Sequence, residues 1–306
     1  MRSKKLDKQL LSSLLAGVEA CVFDADGVLW HADTAIEGSI SAVKQLVARG
    51  KHVAVATNNS AKSRVSYEQK CRALGYDMFH QENVVTTSAV FAEHLRNQSF
   101  DKKVYIIGSD GIADELNNVG IQNCGVGPDN SDWDSIPHYD EHGRFLCDKQ
   151  EQGIGAVVIG FDKLFNYAKL SKAAAYLSHP ECHFYATNDD ETYPVGHRSG
   201  VLLPGTGSIL AAVRTGTGRE PTVMGKPNRP MFEYLKRHMH CDAQNILMVG
   251  DRCSTDIRWA RAFGMRSLCV LTGCTSESDL VDGTIPDGDM PEYYTQRLGD
   301  ICDLME

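Results

Sequence analysis

The sequence predicts an α/β protein built on a doubly wound parallel sheet, with a second α/β unit inserted into it. Three observations carry this. Short apolar runs of strand length alternate with stretches of helical periodicity. The middle third of the chain differs in charge from the rest, and polar residues gather just past the ends of the apolar runs. A length of 306 residues also favours two cores over one.

Residues 20–26 are an apolar run that ends in Asp24, Asp26 and Gly27, and 52–57 are a second that ends at Thr57-Asn58-Asn59. Between them Ile40, Val43, Leu46 and Val47 recur at helical spacing, and Gly50 supplies a stop. Such a strand–helix–strand unit implies a parallel pair with a right-handed crossover. The middle repeats the rhythm, with strands at 104–108, 156–160 and 183–187 and helices near 111–119 and 167–177. Residues 222–224, 246–249 and 267–271 are read as further strands of the first sheet, separated by helices near 230–239 and 256–263. Residues 101–205 hold 16 acidic and 8 basic side chains, a net −8 out of −9 for the whole chain. That shift marks a separate module, so 1–100 and 206–306 are assigned to the core and 101–205 to the insert. Residues 125–153 are rich in Gly, Asp, Pro and Ser without periodicity and read as a long surface loop. Gly205-Thr206-Gly207-Ser208 lacks the Gly-Lys-Ser/Thr ending of a nucleotide loop and reads as a turn opening the helix that rejoins the core.

Composition excludes several classes. At 42% hydrophobic and 23% charged the chain is globular rather than disordered. The net charge of −9 argues against nucleic acid as a partner, and Arg2-Ser3-Lys4-Lys5 reads as a solvated tail. No apolar run reaches the roughly 18 residues of a membrane span, and the N-terminus lacks a clean leader pattern. The ten cysteines form no CxxC pair and the eleven histidines show no ligand spacing. Unpaired thiols point to a reducing compartment, so a cytoplasmic protein is expected. His238 and His240 are placed on a helix surface.

The chemistry-bearing residues lie where strands end. Asp24 with Asp26, Thr57 with Asn58, Lys226, and Asp251 with Asp256 each stand at or just past such an end. In an open parallel sheet these ends lie along one edge, where ligands bind. Carboxylates converging there repel one another unless a cation sits among them, and hard oxygen ligands suit Mg²⁺. The lysine and the hydroxyl–amide pair remain to hold an anion. Asp24 and Asp26 could divide the work of nucleophile and general acid, although an isolated Asp-x-Asp-Gly is as readily a calcium loop or polar turn.

The order of these motifs is more specific. Asp24-Ala25-Asp26-Gly27-Val28-Leu29, Thr57-Asn58-Asn59, Gly225-Lys226-Pro227 and Gly250-Asp251-Arg252 with Asp256 closely resemble the haloacid dehalogenase-like phosphatases. Trp30, Phe161-Asp162, Tyr167-Ala168-Lys169-Leu170, Pro204-Gly205-Thr206-Gly207-Ser208 and Thr255-Asp256-Ile257 narrow the resemblance. They match the subgroup with a large α/β cap, which includes phosphoglycolate, 4-nitrophenyl phosphate and pyridoxal phosphatases. The likeness spans about residues 16–303.

The resemblance implies a Rossmann-like core, a cap domain and roles position by position. Asp24 would be nucleophile and metal ligand. Asp26 would be the general acid/base and would offer its main-chain carbonyl to Mg²⁺. Thr57, Asn58 and Asn59 would bind the transferring phosphate. Lys226 would bridge Asp24 and a phosphate oxygen. Asp251 would complete the metal ligands, and Asp256 would orient a metal-bound water. Implied too are a small phosphorylated metabolite as substrate and a homodimer formed through the cap. Hydrolysis of a compact ester such as 2-phosphoglycolate is the leading expectation. Action on pyridoxal phosphate or a phosphoprotein is the alternative, and a non-catalytic phosphate-binding regulator is a third reading that intact Asp24, Asp26, Lys226 and Asp251 disfavour. Trp30 and His31 are read as packing rather than entrance residues, and Asp189-Asp190-Glu191 as a solvated acidic turn rather than a substrate contact.

Overall fold

The computed structural model describes residues 3–130, 138–139, 145–146, 152–194 and 201–305. Two parallel sheets organise it. The first has seven strands in the order Lys4–Lys5, Tyr293–Thr295, Arg266–Val270, Ile246–Gly250, Ala20–Phe23, His52–Thr57 and Val84–Thr86. Every neighbouring pair in it is parallel. The second has five, in the order Thr222–Val223, His183–Ala186, Ile154–Ile159, Lys103–Ile107 and Asn123–Cys124, again all parallel. The doubly wound α/β architecture expected from the sequence is therefore present.

The central strands are buried on both faces, as parallel strands between helical layers must be. Ala20–Phe23 lies between Ile246–Gly250 and His52–Thr57. The chain leaves it toward one neighbour and returns through the other, so the loops diverge above its carboxyl end and open a crevice there.

Several elements differ from the sequence reading. Thr222–Val223 pairs with Tyr185 and Ala186, so this strand edges the second sheet and not the first. Helix Thr206–Thr217 also packs there, with Ile209, Leu210 and Val213 sharing a core with Val157, Ile159 and Ala173. The chain thus rejoins the first sheet beyond Val223 rather than at 206. Lys4–Lys5 is an edge strand paired with Tyr293 and Tyr294 rather than a loose tail. Its lysine side chains stay in water, the arrangement that discourages further edge pairing. Most of the acidic segment 125–153 falls outside the described residues; within it, His138–Tyr139 pairs antiparallel with Phe145–Leu146.

The two sheets share one apolar layer. Ala20, Val22, Ala54, Ile246 and Met248 of the first belong to the same cluster as Val104, Ile106, Ala156, Val158 and Tyr185 of the second. Helices Thr87–Asn97, Asp110–Asn118 and Arg229–Met239 supply the side chains between them, including Phe91, Leu95, Ile112, Leu116 and Leu235. Arg64 adds a polar tie: its guanidinium and main-chain N–H both donate to the fully buried Glu115 across the junction. Such a charge-assisted pair would be costly to break because it would strand a buried carboxylate.

Candidate active site

Asp24 follows the central strand directly, and its main-chain N–H extends the ladder by donating to Val249 O. Its carboxylate meets Lys226, which arrives from the loop after Thr222–Val223. Lys226 Nζ lies 2.6 Å from Asp24 Oδ1, 2.7 Å from Asp256 Oδ1 and 2.6 Å from the carbonyl of Ala56. Lys226 is 1% exposed, so its charge has been taken out of water and is matched by these partners. Burial alone would lower the lysine pKa; Asp24 and Asp256 outweigh that and raise it.

Asp251 directly follows strand Ile246–Gly250, beside the central strand. Ligand oxygens of Asp24, Asp251 and Asp256 all lie within 4.8 Å of one another. Burial, together with the neighbouring carboxylates, raises the Asp24 pKa against the pull of Lys226. Asp251 is pushed up to about 6 by burial and by Asp256, despite the N–H that Cys274 donates to its Oδ2 at 2.7 Å. Three carboxylates facing one lysine leave a local excess of negative charge. A hard divalent cation relieves that excess with oxygen ligands of the type it prefers, so the donor set fits Mg²⁺.

Local backbone explains how Asp256 joins the group. Cys253–Ile257 form a π-turn before helix Arg258–Ala262, widening the chain at the point where Asp256 must turn back toward Asp251. The sequence spacing suggested only a helix starting near 256. Asp256 Oδ2 accepts from the N–H of Arg252 at 3.1 Å, while its Oδ1 has the ion pair with Lys226 but no hydrogen bond of good geometry. Asp256 is therefore a direct partner of Lys226, beyond the water-orienting role implied by the resemblance.

Thr57, 3% exposed, ends the adjacent strand, and its Oγ1 accepts from Asn59 N at 3.1 Å. Asn58 points its side chain at the Lys226 loop, and Asn59 is exposed with its Oδ1 accepting from Ala61 N. Asp26 stands at the open rim and accepts from the indole N–H of Trp30 at 3.1 Å. Its carboxyl reaches solvent, yet the surrounding walls withdraw enough water to raise its pKa, with Lys70 and the Trp30 hydrogen bond pulling the other way. Trp30 is fully buried against Tyr67 and Tyr76, with Lys70 Nζ 4.8 Å from its ring centre, so it packs beneath the rim rather than lining an entrance.

Sequence reasoning missed the Gly273-Cys274 loop, the close approach made by Gly27 and the place of Asp190. Gly273 and Cys274 form the loop that cradles Asp251. A Cβ on Gly273 would stand 1.8 Å from Asp251 Oδ2, so only glycine permits the approach. Gly27, at φ +90°, closes on the same carboxylate oxygen, where an added Cβ would stand 2.7 Å from Asp251 Oδ2. The third is Asp190, whose Oδ2 accepts from Asn58 and Oδ1 from Arg252, each at 3.0 Å. The turn at 189–191 is thus tied into the site and is not merely solvated.

The family model described as haloacid dehalogenase-like hydrolase matches residues 21–122, and a second, described as HAD-hydrolase-like, matches 223–301. Phosphoglycolate phosphatase 2 of Arabidopsis thaliana is 38% identical over 311 residues, covering 100% of this chain and 99% of its own. Glycerol-3-phosphate phosphatase of Rattus norvegicus is 33% identical, covering 100% and 97%. Among solved structures, 4-nitrophenylphosphatase of Thermotoga maritima superposes with a TM-score of 0.77 at 26% identity over 95% of this chain and 98% of that one. Glycerol phosphate phosphatase of Mycobacterium tuberculosis, in complex with magnesium, gives 0.74 at 27% over 97% and 78%.

The chain belongs to the haloacid dehalogenase-like hydrolases, in the capped branch typified by the 4-nitrophenylphosphatases. It is an enzyme of the phosphoric monoester hydrolase class. Among the described residues no helix is long and apolar enough to cross a membrane.

Proposed function

We propose that this protein hydrolyses small phosphate monoesters through a phospho-aspartate formed on Asp24, with Mg²⁺ as cofactor. The observation that carries the reading is the junction of Asp24, Lys226, Asp251 and Asp256 around one point at the sheet's carboxyl edge. Asp24 and Asp251, with the main-chain carbonyl of Asp26, would hold the metal. When bound, the metal offsets charge on the phosphate and lets an anionic nucleophile approach it.

The chain's own groups then have defined work. Lys226 holds Asp24 in place and, with Thr57, Asn58 and Asn59, offers donors toward phosphate oxygens. Asp24 attacks phosphorus and the ester oxygen departs. Asp26, the general acid of this scheme, gives that oxygen a proton; the carboxylate it becomes then takes a proton from the water that attacks the aspartyl phosphate. Asp24 is released with inorganic phosphate. Relatives named for phosphoglycolate and glycerol 3-phosphate support a compact aliphatic phosphate as substrate. Nine described cysteines without a disulfide are in keeping with a cytoplasmic location. Exposed Leu164, Tyr167 and Leu202 on the second domain support a homodimer formed through it.

The test is turnover of 4-nitrophenyl phosphate and 2-phosphoglycolate by the wild type, Asp24→Asn and the EDTA-treated protein. Loss of at least about 10³-fold is expected for Asp24→Asn, together with loss on chelation that Mg²⁺ restores. Turnover that survives in Asp24→Asn would refute the nucleophile.

A further inference from the structure

We propose that Asp190, from the second domain, is a positioning residue that locks the lysine loop and the Asp251 loop into register. This rests on the phosphatase reading and deepens it. Asp190 touches neither Asp24 nor Asp251; it acts through two side chains that do border the site.

The first is Asn58. Its Nδ2 is shared between Asp190 Oδ2 and the carbonyl of Lys226, both at 3.0 Å, while its Oδ1 accepts from Lys226 N at 2.8 Å. Asp190 thus adds a third anchor to the amide plane that grips Lys226 on both of its main-chain groups. The second is Arg252. Its Nη1 donates to Asp190 Oδ1 at 3.0 Å, its Nη2 and Nε approach Cys274 Sγ, and its N–H donates to Asp256. Cys274 in turn donates its N–H to Asp251. One carboxylate therefore joins the lysine loop to the Asp251 loop.

Asp190 is itself held firmly. Gly207 N donates to Asp190 O at 2.8 Å, Gly205 N donates to Glu191 O at 2.7 Å, and Asp190 N donates to Asn188 Oδ1. Asn188 Nδ2 closes the circuit by donating to the carbonyl of Asn58 at 2.8 Å. A Cβ at Gly207 would stand 2.4 Å from Asp189 O, so the helix start fits the turn only as glycine. The Arg252–Asp190 pair keeps 27% and 22% of its side chains open to water.

The experiment uses the full-length chain as wild type, Asp190→Ala, Asp190→Asn, Arg252→Gln and the Asp190→Ala/Arg252→Gln double variant. Rates are normalised to folded protein by circular dichroism and read with 4-nitrophenyl phosphate and 2-phosphoglycolate at saturating Mg²⁺. Amide exchange at Lys226 is followed in parallel on metal-free protein. Expected are a fall in kcat of about tenfold or more in Asp190→Ala, equal for both substrates and with KM little changed. Asp190→Asn should recover part of it, and the double variant should be no slower than the slower single. The Lys226 amide should exchange about tenfold faster. Unchanged kcat and exchange in Asp190→Ala would overturn the proposal. So would a loss confined to one substrate, which would make Asp190 or Arg252 a leaving-group contact, or single effects that multiply in the double variant. If the wild type turns over neither substrate, the phosphatase reading fails, and the Lys226 amide still decides whether Asp190 locks the loop.

Discussion

Asn58 and Lys226 exchange hydrogen bonds in both directions: Lys226 N donates to Asn58 Oδ1 at 2.8 Å, and Asn58 Nδ2 donates to Lys226 O at 3.0 Å. A side-chain amide here does what a neighbouring strand would otherwise do for the backbone. Asn58→Ala strands a buried N–H and a carbonyl, at about 1–3 kcal/mol. The same change frees the lysine, so kcat should fall by about tenfold or more. Thermal melts and steady-state kinetics on one preparation check both; a variant with lower Tm and unchanged kcat would contradict the link.

Lys226→Met leaves Asp24 and Asp256 facing each other without their cation. Turnover should be lost, and the metal-free protein should lose about 3–5 kcal/mol, the usual cost of stranding a buried charge. Adding Asp256→Asn should return part of that stability but none of the activity. Denaturant titrations of the three variants supply the comparison, and additive losses would show that the pair does not interact.

Gly273→Ala places a methyl group where Asp251 Oδ2 now lies. The carboxylate must rotate away, so Mg²⁺ affinity should drop by about 10–100-fold, the range seen when a ligand's supports are disturbed. Calorimetric titration of the metal measures it. Affinity equal to the wild type would mean that Asp251 is not a ligand.

The Asp251 carboxyl, raised to about 6 by burial and by Asp256, gives a pH prediction. Between the ordinary carboxylate value and pH 6 the folded metal-free protein binds a proton that the unfolded chain has released. Its stability therefore falls as pH rises through that window. Metal must displace the same proton, so Mg²⁺ affinity should weaken as pH falls below about 6. Calorimetry in buffers of different ionisation enthalpy would reveal the released proton at pH 5.5, and its absence would place the titration elsewhere.

Much of this site was legible because its members stand at the ends of apolar runs, a local signal. Asp24, Thr57, Lys226 and Asp251 are each marked by the residues just before them. Whether a strand such as Thr222–Val223 joins one sheet or another depends on partners dozens of residues away, and no periodicity reports that. Asp190 is similar: on its own it is an acidic turn residue, and only the fold brings Arg252 and Asn58 to it. The Gly273-Cys274 loop left a faint trace, a Thr-Gly-Cys string after a predicted strand end at Leu271. Its importance lies in a close approach that a sequence cannot show. The π-turn at Cys253 was hidden because helical spacing does not distinguish a wide turn from a regular one.

The apolar layer common to both sheets has a bearing on the ancestry of the chain. A module that merely sat on top of the catalytic half could be deleted or exchanged and leave a working remainder. Here excision of the middle third would uncover Phe91, Leu95 and Leu235 to water, so the remainder is expected to lose stability without the inserted piece. Both halves should then melt in a single transition, and shortened versions of this protein should be insoluble rather than merely unselective.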